Sequence, residues 1–267
     1  GLSEKLRSVC GRSVRLTRTT AVNAKKCPLF ASLLLAFLLS GHALAHEMHH
    51  APGDPVVTMA AGQHDDMAPV AARYELTVNK RHAKTQTDWY LWRDADSVET
   101  ASVAVGHNDI WQRLGADEYH YRRVFHHEKR VIDYTPGEIK TRHAEPDWRK
   151  LTSVISPHLL EALKRGPSTT MFGQKAVRYT GRVGDQEIDL WWLVRTKVPA
   201  SLKMTRHGER MTLALREIHA KAPTAWPRVS DDGIADYGMI DAADFGDMES
   251  DPFVAHVMQQ DGHGHSH

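Results

Sequence analysis

Histidine is the residue type in this chain with the most chemistry to offer. The chain carries 18 of them in 267 residues, about three times ordinary usage, and many are gathered at the two ends. His46, His49, His50 and His64 stand with Asp65 and Asp66 near one end, and His256, His263, His265 and His267 stand near the other. Imidazole nitrogen with carboxylate oxygen suits copper, zinc or nickel as divalent ions, and the thioethers of Met48 and Met67 would suit Cu(I). The last seven residues alternate His with Gly and Ser, a composition that points to metal capture rather than packing. The candidate metal ligands are therefore His46, His49, His50, His64, His263, His265 and His267, and no organic cofactor is expected. His46-Glu47-Met48-His49-His50 also matches H-E-x-x-H in form. That motif works on a rigid helix, which the following Ala51-Pro52-Gly53 would not support, so the match reads as accidental.

Upstream of His46, Lys25 and Lys26 precede the apolar run Leu29 to Leu39, and Ala43-Leu44-Ala45 closes it with small residues. This is the pattern of a secretory signal peptide, cut after Ala45. The run falls short of the roughly 20 apolar residues a membrane span needs, so contact with the membrane is expected only in passing, through the signal. Residues 1–45 are thus expected to be removed and the rest to be periplasmic. Both cysteines, Cys10 and Cys27, fall in the removed part. The mature chain has no thiol left for a disulfide, a thiolate metal site or a cysteine nucleophile. Cleavage after Ala45 would give His46 a free amine beside its imidazole, a chelate for copper. This resembles the histidine brace of periplasmic copper carriers and copper monooxygenases, with His49 or His50 completing the site.

Charge divides the remainder. Without residues 1–45 the chain has 27 basic and 32 acidic residues, and all 27 bases lie within 73–230 against 19 acids. Residues 46–72 and 231–267 contain acids and no base. The first of these ends reads as a disordered, His-rich arm. The second reads as an acidic tail with apolar anchors at Ile240, Phe245, Phe253 and Val257 that can lie back on the basic middle.

The elements that must position any site lie in 73–230, where hydrophobic residues alternate at period two. Val177-Tyr179-Gly181-Val183 and Ile188-Leu190-Trp192-Val194 predict two strands joined at Gly184-Asp185. Leu202-Met204 and Met211-Leu213-Leu215 predict two more, joined at His207-Gly208. Strands are also predicted at Tyr74 to Val78, Trp89 to Leu91, Ile110 to Leu114, Tyr119 to Phe125 and Arg130 to Tyr134. Between the two groups, Trp148, Leu151, Ile155, Leu159 and Leu163 have helical spacing, divided at Ser156-Pro157 and ended by Gly166. The fold class is mainly β with an inserted helix, as a curved antiparallel sheet or incomplete barrel with flexible termini.

The order of strands, Tyr134-Thr135-Pro136-Gly137, a helix from Trp148, and a meander through Glu187 to Leu193 and Val198 to Leu202 resembles the periplasmic lipoprotein carriers and outer-membrane lipoprotein-sorting proteins, the LolA-like superfamily. The resemblance covers residues 73–220. It implies an open barrel curled over helices and cradling acyl chains.

Other candidates have plainer readings. Alternation puts His120 and His126 on one strand face and His127 on the other, beside Arg122, Arg123, Lys129 and Arg130, which oppose cation binding. Trp191-Trp192 places one indole inside and one outside, and with Trp89 these are the candidate ligand-contacting aromatics. Asp241, Asp244, Asp247, Glu249 and Asp251 lack the spacing of a calcium loop. No nucleophile elbow, phosphate loop or nucleic-acid module is present, so no catalytic residue and no nucleic-acid partner is expected. Two functions follow: metal binding through the His-rich termini of a LolA-like scaffold, or carriage or sensing of an acyl chain, lipid or lipoprotein in the concave face.

Overall fold

A computed structural model describes residues 67–262. His46, His49, His50, His64, His263, His265 and His267, and the signal segment, lie outside the described residues.

The described chain forms one 12-stranded sheet. Six strands come first: β1 (Val70–Lys80), β2 (Ala83–Arg93), β3 (Ser97–Ser102), β4 (His107–Gly115), β5 (Glu118–Phe125) and β6 (Arg130–Tyr134). Five follow after a helical crossover: β7 (Lys164–Met171), β8 (Gln174–Val183), β9 (Gln186–Leu193), β10 (Val198–Arg206) and β11 (Glu209–His219). The last, β12 (Gly238–Asp241), comes late in the chain. Each group is an antiparallel meander, and the two are joined where β1 pairs with β11. β12 pairs with β6 in parallel, so β12 and β7 are the two edges of an open sheet.

Local chemistry makes the hairpins. Val183 pairs with Gln186 across Gly184, at φ +62°, and Arg206 pairs with Glu209 across His207 and Gly208, at φ +48° and +76°. Positive φ at Gly184 in the first turn, and at both central residues of the second, suits the right-handed twist of the flanking strands. The helical region departs from expectation. Instead of running to Arg165 it forms α1 (Pro136–Thr141), α2 (Trp148–Ser153) and α3 (Pro157–Ala162), and β7 starts at Lys164. Ser156 and Pro157 do open α3, as their types suggest, but the Ser156 side chain makes no capping bond. Three strands had no alternating apolar signal to find. β3 is only six residues long, β7 is exposed almost throughout, and β12 buries Ile240 alone.

Topology decides what covers each face. The chain leaves β6 near one edge and re-enters at β7 on the other, so α1, α2 and α3 must cross the sheet; this covered side is the inner face. From β11 in the middle it must return to β12, and it does so over the outer face as a strap, 220–237. Trp226 of the strap meets the rings of Tyr90 and Trp92 edge-on at 5.3 and 6.4 Å. Val229, Ile234 and Tyr237 cover Ile110, Val124 and Val131. Glu99 fastens the strap by accepting a hydrogen bond from the Val229 amide at 2.8 Å, and Asn108 donates to Glu99 and to the Pro227 carbonyl at 2.8 and 2.9 Å. The acidic tail then folds onto the inner face as a 3-10 turn (Ala242–Asp247) and α4 (Pro252–Gly262). Asp251 caps α4 through the Phe253 amide and faces Arg130 at 3.5 Å. Ile240, Phe245, Val254 and Val257 pack on Tyr119, Phe125, Ile132, Tyr134 and Ile139.

Candidate functional site

Strand register sorts the inner face into two territories. On β1, β2 and β8 to β11 it is apolar: Tyr74, Leu76, Trp89, Leu91, Leu190, Leu202, Met211 and Leu213 form one continuous buried wall. Period-two alternation accounts for this, since each strand sends every second side chain inward. Trp148, Leu151, Leu159 and Leu160 of the flap formed by α2 and α3 pack against the wall, and Trp148 also touches the core under the acidic tail.

The flap is held firmly at one end and loosely at the other. Asp147 caps α2 through the Lys150 amide at 3.2 Å. Arg93, 1% exposed, donates to the Thr152 carbonyl at 2.8 Å, to Thr196 at 2.7 Å and to Ala68 at 3.0 Å. The guanidinium thus ties the end of α2 to the β9–β10 turn and to the segment before β1. Burial lowers its pKa to about 10, the nearby Tyr74 opposing, so it remains a cation at neutral pH. α3, by contrast, buries no residue. Between the two helices Val154 is buried at φ +67° and ψ −33°. A β-branched residue avoids that region, and such strain costs of order 1–3 kcal/mol.

On β4, β5 and β6 the inner face changes character. His107, Asp109, Trp111 and Arg113 alternate inward along β4, and register sets them beside Phe125, Arg123, Tyr121 and Tyr119 of β5. Tyr121 donates to Asp109 Oδ1 at 2.6 Å, His107 Nε2 lies 3.3 Å from Oδ2, and Arg123 Nε lies 3.7 Å from Oδ1. Burial alone would push the Asp109 carboxyl up; the charge and bond of His107, with Arg123 and Tyr121, outweigh it and hold the carboxyl below its ordinary value. Burial first, and then the Asp109 charge, push the Tyr121 hydroxyl well up. Trp111 stacks on Tyr121 at 4.1 Å and Tyr121 on Tyr134 at 5.1 Å. Ser102 Oγ, one strand over, is buried without a partner. Ser102, His107 and Asp109 are the residue types of a hydrolytic triad, but Ser102 makes no hydrogen bond to His107, so the nucleophile–base contact such chemistry needs is not formed.

The sequence-predicted residues are placed as follows. Trp89 and Trp192 lie in the apolar wall, Trp89 5.6 Å from Tyr74, while Trp191 is half-buried at the neighbouring register position. His120 and His126 are not brought together as a metal pair. His120 is bound by Asp133 at 2.6 Å, and His126 lies 3.0 Å from Asn108 and 3.1 Å from Tyr237. Among the described residues no group of three or more His, Cys, Asp or Glu is placed to hold a metal ion. The Asp241 to Asp251 run caps helices and docks instead of coordinating: Asp241 accepts from the Ala243 amide, and Asp251 meets Arg130. His107, Asp109, Tyr121 and Arg123 were missed as a group. Their signal was present, two facing strands whose inward positions turn from aliphatic to aromatic and charged, but it emerges only once β4 and β5 are registered.

A separate cleft of about 110 Å³ opens at the end of the β1–β11 seam, lined by Val70, Trp92, Arg93, Asp94, Lys221 and Arg228 among others. It is below the roughly 300–1,000 Å³ of ordinary small-molecule pockets.

No family model matches the chain, and no curated protein matches it. Solved structures similar to it include PNGF-II, 9% identical with a TM-score of 0.35, over 69% of this chain and 33% of that one. The MucA/MucB complex of Pseudomonas aeruginosa is 12% identical with a TM-score of 0.33, over 63% of this chain and 58% of that one. An outer membrane lipoprotein-sorting protein domain from Vibrio parahaemolyticus is 11% identical with a TM-score of 0.30, over 63% of this chain and 90% of that one. The chain spans about a third of the length of PNGF-II.

Proposed function

We propose that this is an exported, non-enzymatic binding protein that carries or senses an apolar ligand, of the acyl-chain, lipid or lipoprotein class, on the inner face of its sheet. The observation that carries the reading is the roof over the apolar wall. An aliphatic surface extending over six strands is covered in part by two six-residue helices, and the second of these buries no residue. An acyl chain reaches the wall by lifting α3 about Val154 while Arg93 keeps α2 in place. Leu159 and Leu160 then exchange their contact with the wall for contact with the ligand, so opening gives up little apolar burial.

The test is extraction of lipid from the exported protein followed by mass spectrometry, together with titration by a neutral fluorescent probe, N-phenyl-1-naphthylamine. Co-purified lipid and saturable probe binding at micromolar concentration are expected. Absence of both would remove the reading.

The clustering of His46, His49, His50 and His64 at one end and His263, His265 and His267 at the other favours a second property, capture of copper, zinc or nickel by these residues. Calorimetric titration of the exported chain with Cu(II) and Zn(II) should show micromolar or tighter binding. A variant with those seven histidines changed to Asn should lose it. Unchanged binding in the variant would reject those ligands.

A further inference from the structure

The apolar wall ends in a register row, and the row beyond it is basic. Gly181, Ile188, Met204, Met211 and Val78 stand side by side on β8 to β11 and β1, and all but the glycine belong to the buried wall. One residue further toward the turns, Arg182, Glu187, Thr205, Arg210, Asn79 and Lys84 form the next row, which alternation turns to the outer face. We infer that this tip of the sheet docks on a bilayer surface with anionic head groups. The inference rests on the proposed apolar-ligand reading and adds the surface at which the ligand is exchanged.

Three observations support it. The first is projection. Turns of an antiparallel meander alternate between its two ends, and the pairing of β1 with β11 brings the β1–β2, β8–β9 and β10–β11 turns to one end. There β2 outruns β3: the β2–β3 ladder stops at Trp89 and Ser102, whereas β2 stays paired with β1 as far as Ala83. The extra residues, 83–88, are roughly 20 Å of strand. The second observation is charge. The β1–β2 hairpin reads Lys80-Arg81-His82-Ala83-Lys84, without an acid. The other two hairpins are balanced, with Arg182, Arg206 and Arg210 among Asp185, Glu187 and Glu209, and Asp185 holds Arg206 at 2.8 Å and lies 2.9 Å from His207. The surplus at the tip is therefore positive and comes from the first hairpin. Arg81, Lys84, Arg182 and Arg210 are exposed, and no ion pair with a described residue engages them. Exposed cations spread over separate strands suit a charged plane, and an anionic bilayer attracts each of them. The third observation is the flap. Arg93, with the β9–β10 turn, holds the end of α2 at the opposite end of the sheet, and α3 runs from there toward the tip. Leu163, just after α3, packs on Gly181, where a Cβ would come within 3.2 Å of its Cδ2. The far end of the flap thus covers the last apolar row, one residue from the cations. Seated on a membrane by its tip, the molecule opens the flap at the surface that holds the lipid.

The test is cosedimentation of the exported chain with vesicles of phosphatidylcholine alone and of phosphatidylcholine with an equal part of phosphatidylglycerol. Binding to the mixed vesicles, lost as salt is raised, and none to phosphatidylcholine alone are expected. The variant Arg81→Gln/Lys84→Gln/Arg210→Gln should weaken that binding at least about ten-fold. Lys175→Gln/Arg195→Gln/Lys221→Gln, which removes three exposed cations from the opposite end, should weaken it far less. Equal loss in the two variants, or no loss in either, would overturn the tip as the docking surface. Equal binding to both kinds of vesicle would overturn the recognition of anionic head groups. Binding to polyglutamate but to neither vesicle would overturn the lipid surface in favour of an acidic polypeptide. Absence of vesicle binding beside saturable binding of N-phenyl-1-naphthylamine would overturn the docking and leave the carrier reading standing. Vesicle binding through the tip without any binding of that probe would uphold the docking and overturn the carrier reading. All six substituted positions are exposed, and the comparison of vesicles on the unchanged chain holds without any variant.

Discussion

Two buried charged residues show how single side chains hold this molecule together, and both can be tested. Arg93 donates its hydrogen bonds to backbone carbonyls, those of Ala68, Thr152, Thr196 and Lys197. Replacing it with Met leaves those oxygens in a dry place without a donor. Arg93→Met should therefore lower the unfolding free energy by about 3 kcal/mol, read from the urea midpoint; an unchanged midpoint would mean water reaches the site. Glu99 has the opposite character. Burial pushes its carboxyl up, against the lowering effect of the Val229 amide, Asn108 and Arg228. A group whose pKa is higher folded than unfolded favours folding below its unfolded value, near 4.3, and that contribution is lost as pH rises through the folded value. The strap is thus expected to be held better at mildly acidic pH than at neutral pH. In Glu99→Gln this part of the pH dependence should vanish, as judged from urea midpoints at pH 4.5 and pH 7; an identical slope in both proteins would assign it elsewhere.

Among the elements, the flap and the meanders behave differently because their stabilising contacts differ. β1 and β11 lie between neighbours on both sides and fill the core, while α3 rests on half-buried Leu159 and Leu160 next to a strained Val154. Amides of residues 158–163 should exchange with deuterium far faster than those of β1, because they open without the sheet unfolding. Equal protection would show the flap to be part of the rigid core. The helix expected to run to Arg165 illustrates what could be read from the chain and what could not. Trp148, Leu151, Ile155, Leu159 and Leu163 do share the side facing the sheet, so the spacing was informative about packing. It could not show that the chain has to reach the far edge and begin β7 at Lys164, because β7 carries almost no buried residue to mark it. The apolar wall was legible for the opposite reason: Leu190, Leu202, Met211 and Leu213 alternate without interruption. The charged end of the inner face was not, since Arg123 beside Arg122 reads as solvated charge until the register turns one of them inward.

At the scale of the molecule, the charge boundary at residue 230 is not a boundary of the core. The basic middle and the acidic tail are joined by Ile240, Phe245, Val254 and Val257, which complete the hydrophobic cluster over β5 and β6, and by Arg130 with Asp251. Phe245→Ala should cost about 3 kcal/mol, as for other large side chains removed from a core. A chain ending at residue 237 should expose Tyr119, Phe125, Ile132 and Tyr134 and bind a dye for apolar surface. A truncated chain as stable and as dye-silent as the full one would refute this view of the tail. The apolar anchors of the tail were readable in advance; their target was not, because it is assembled from strands more than a hundred residues earlier.

The seam between β1 and β11 has a consequence for biogenesis. Asn79 finds Arg210, and Ala71 finds His219, so the first strand to emerge waits for nearly the last. Until then it offers a bare backbone edge to any neighbour that arrives sooner. A polypeptide threaded out of a compartment amino end first would spend that interval half assembled, and non-local pairing of this kind is slow. Escort by a holdase during that interval, more than any property of the finished molecule, would then govern how much of it accumulates.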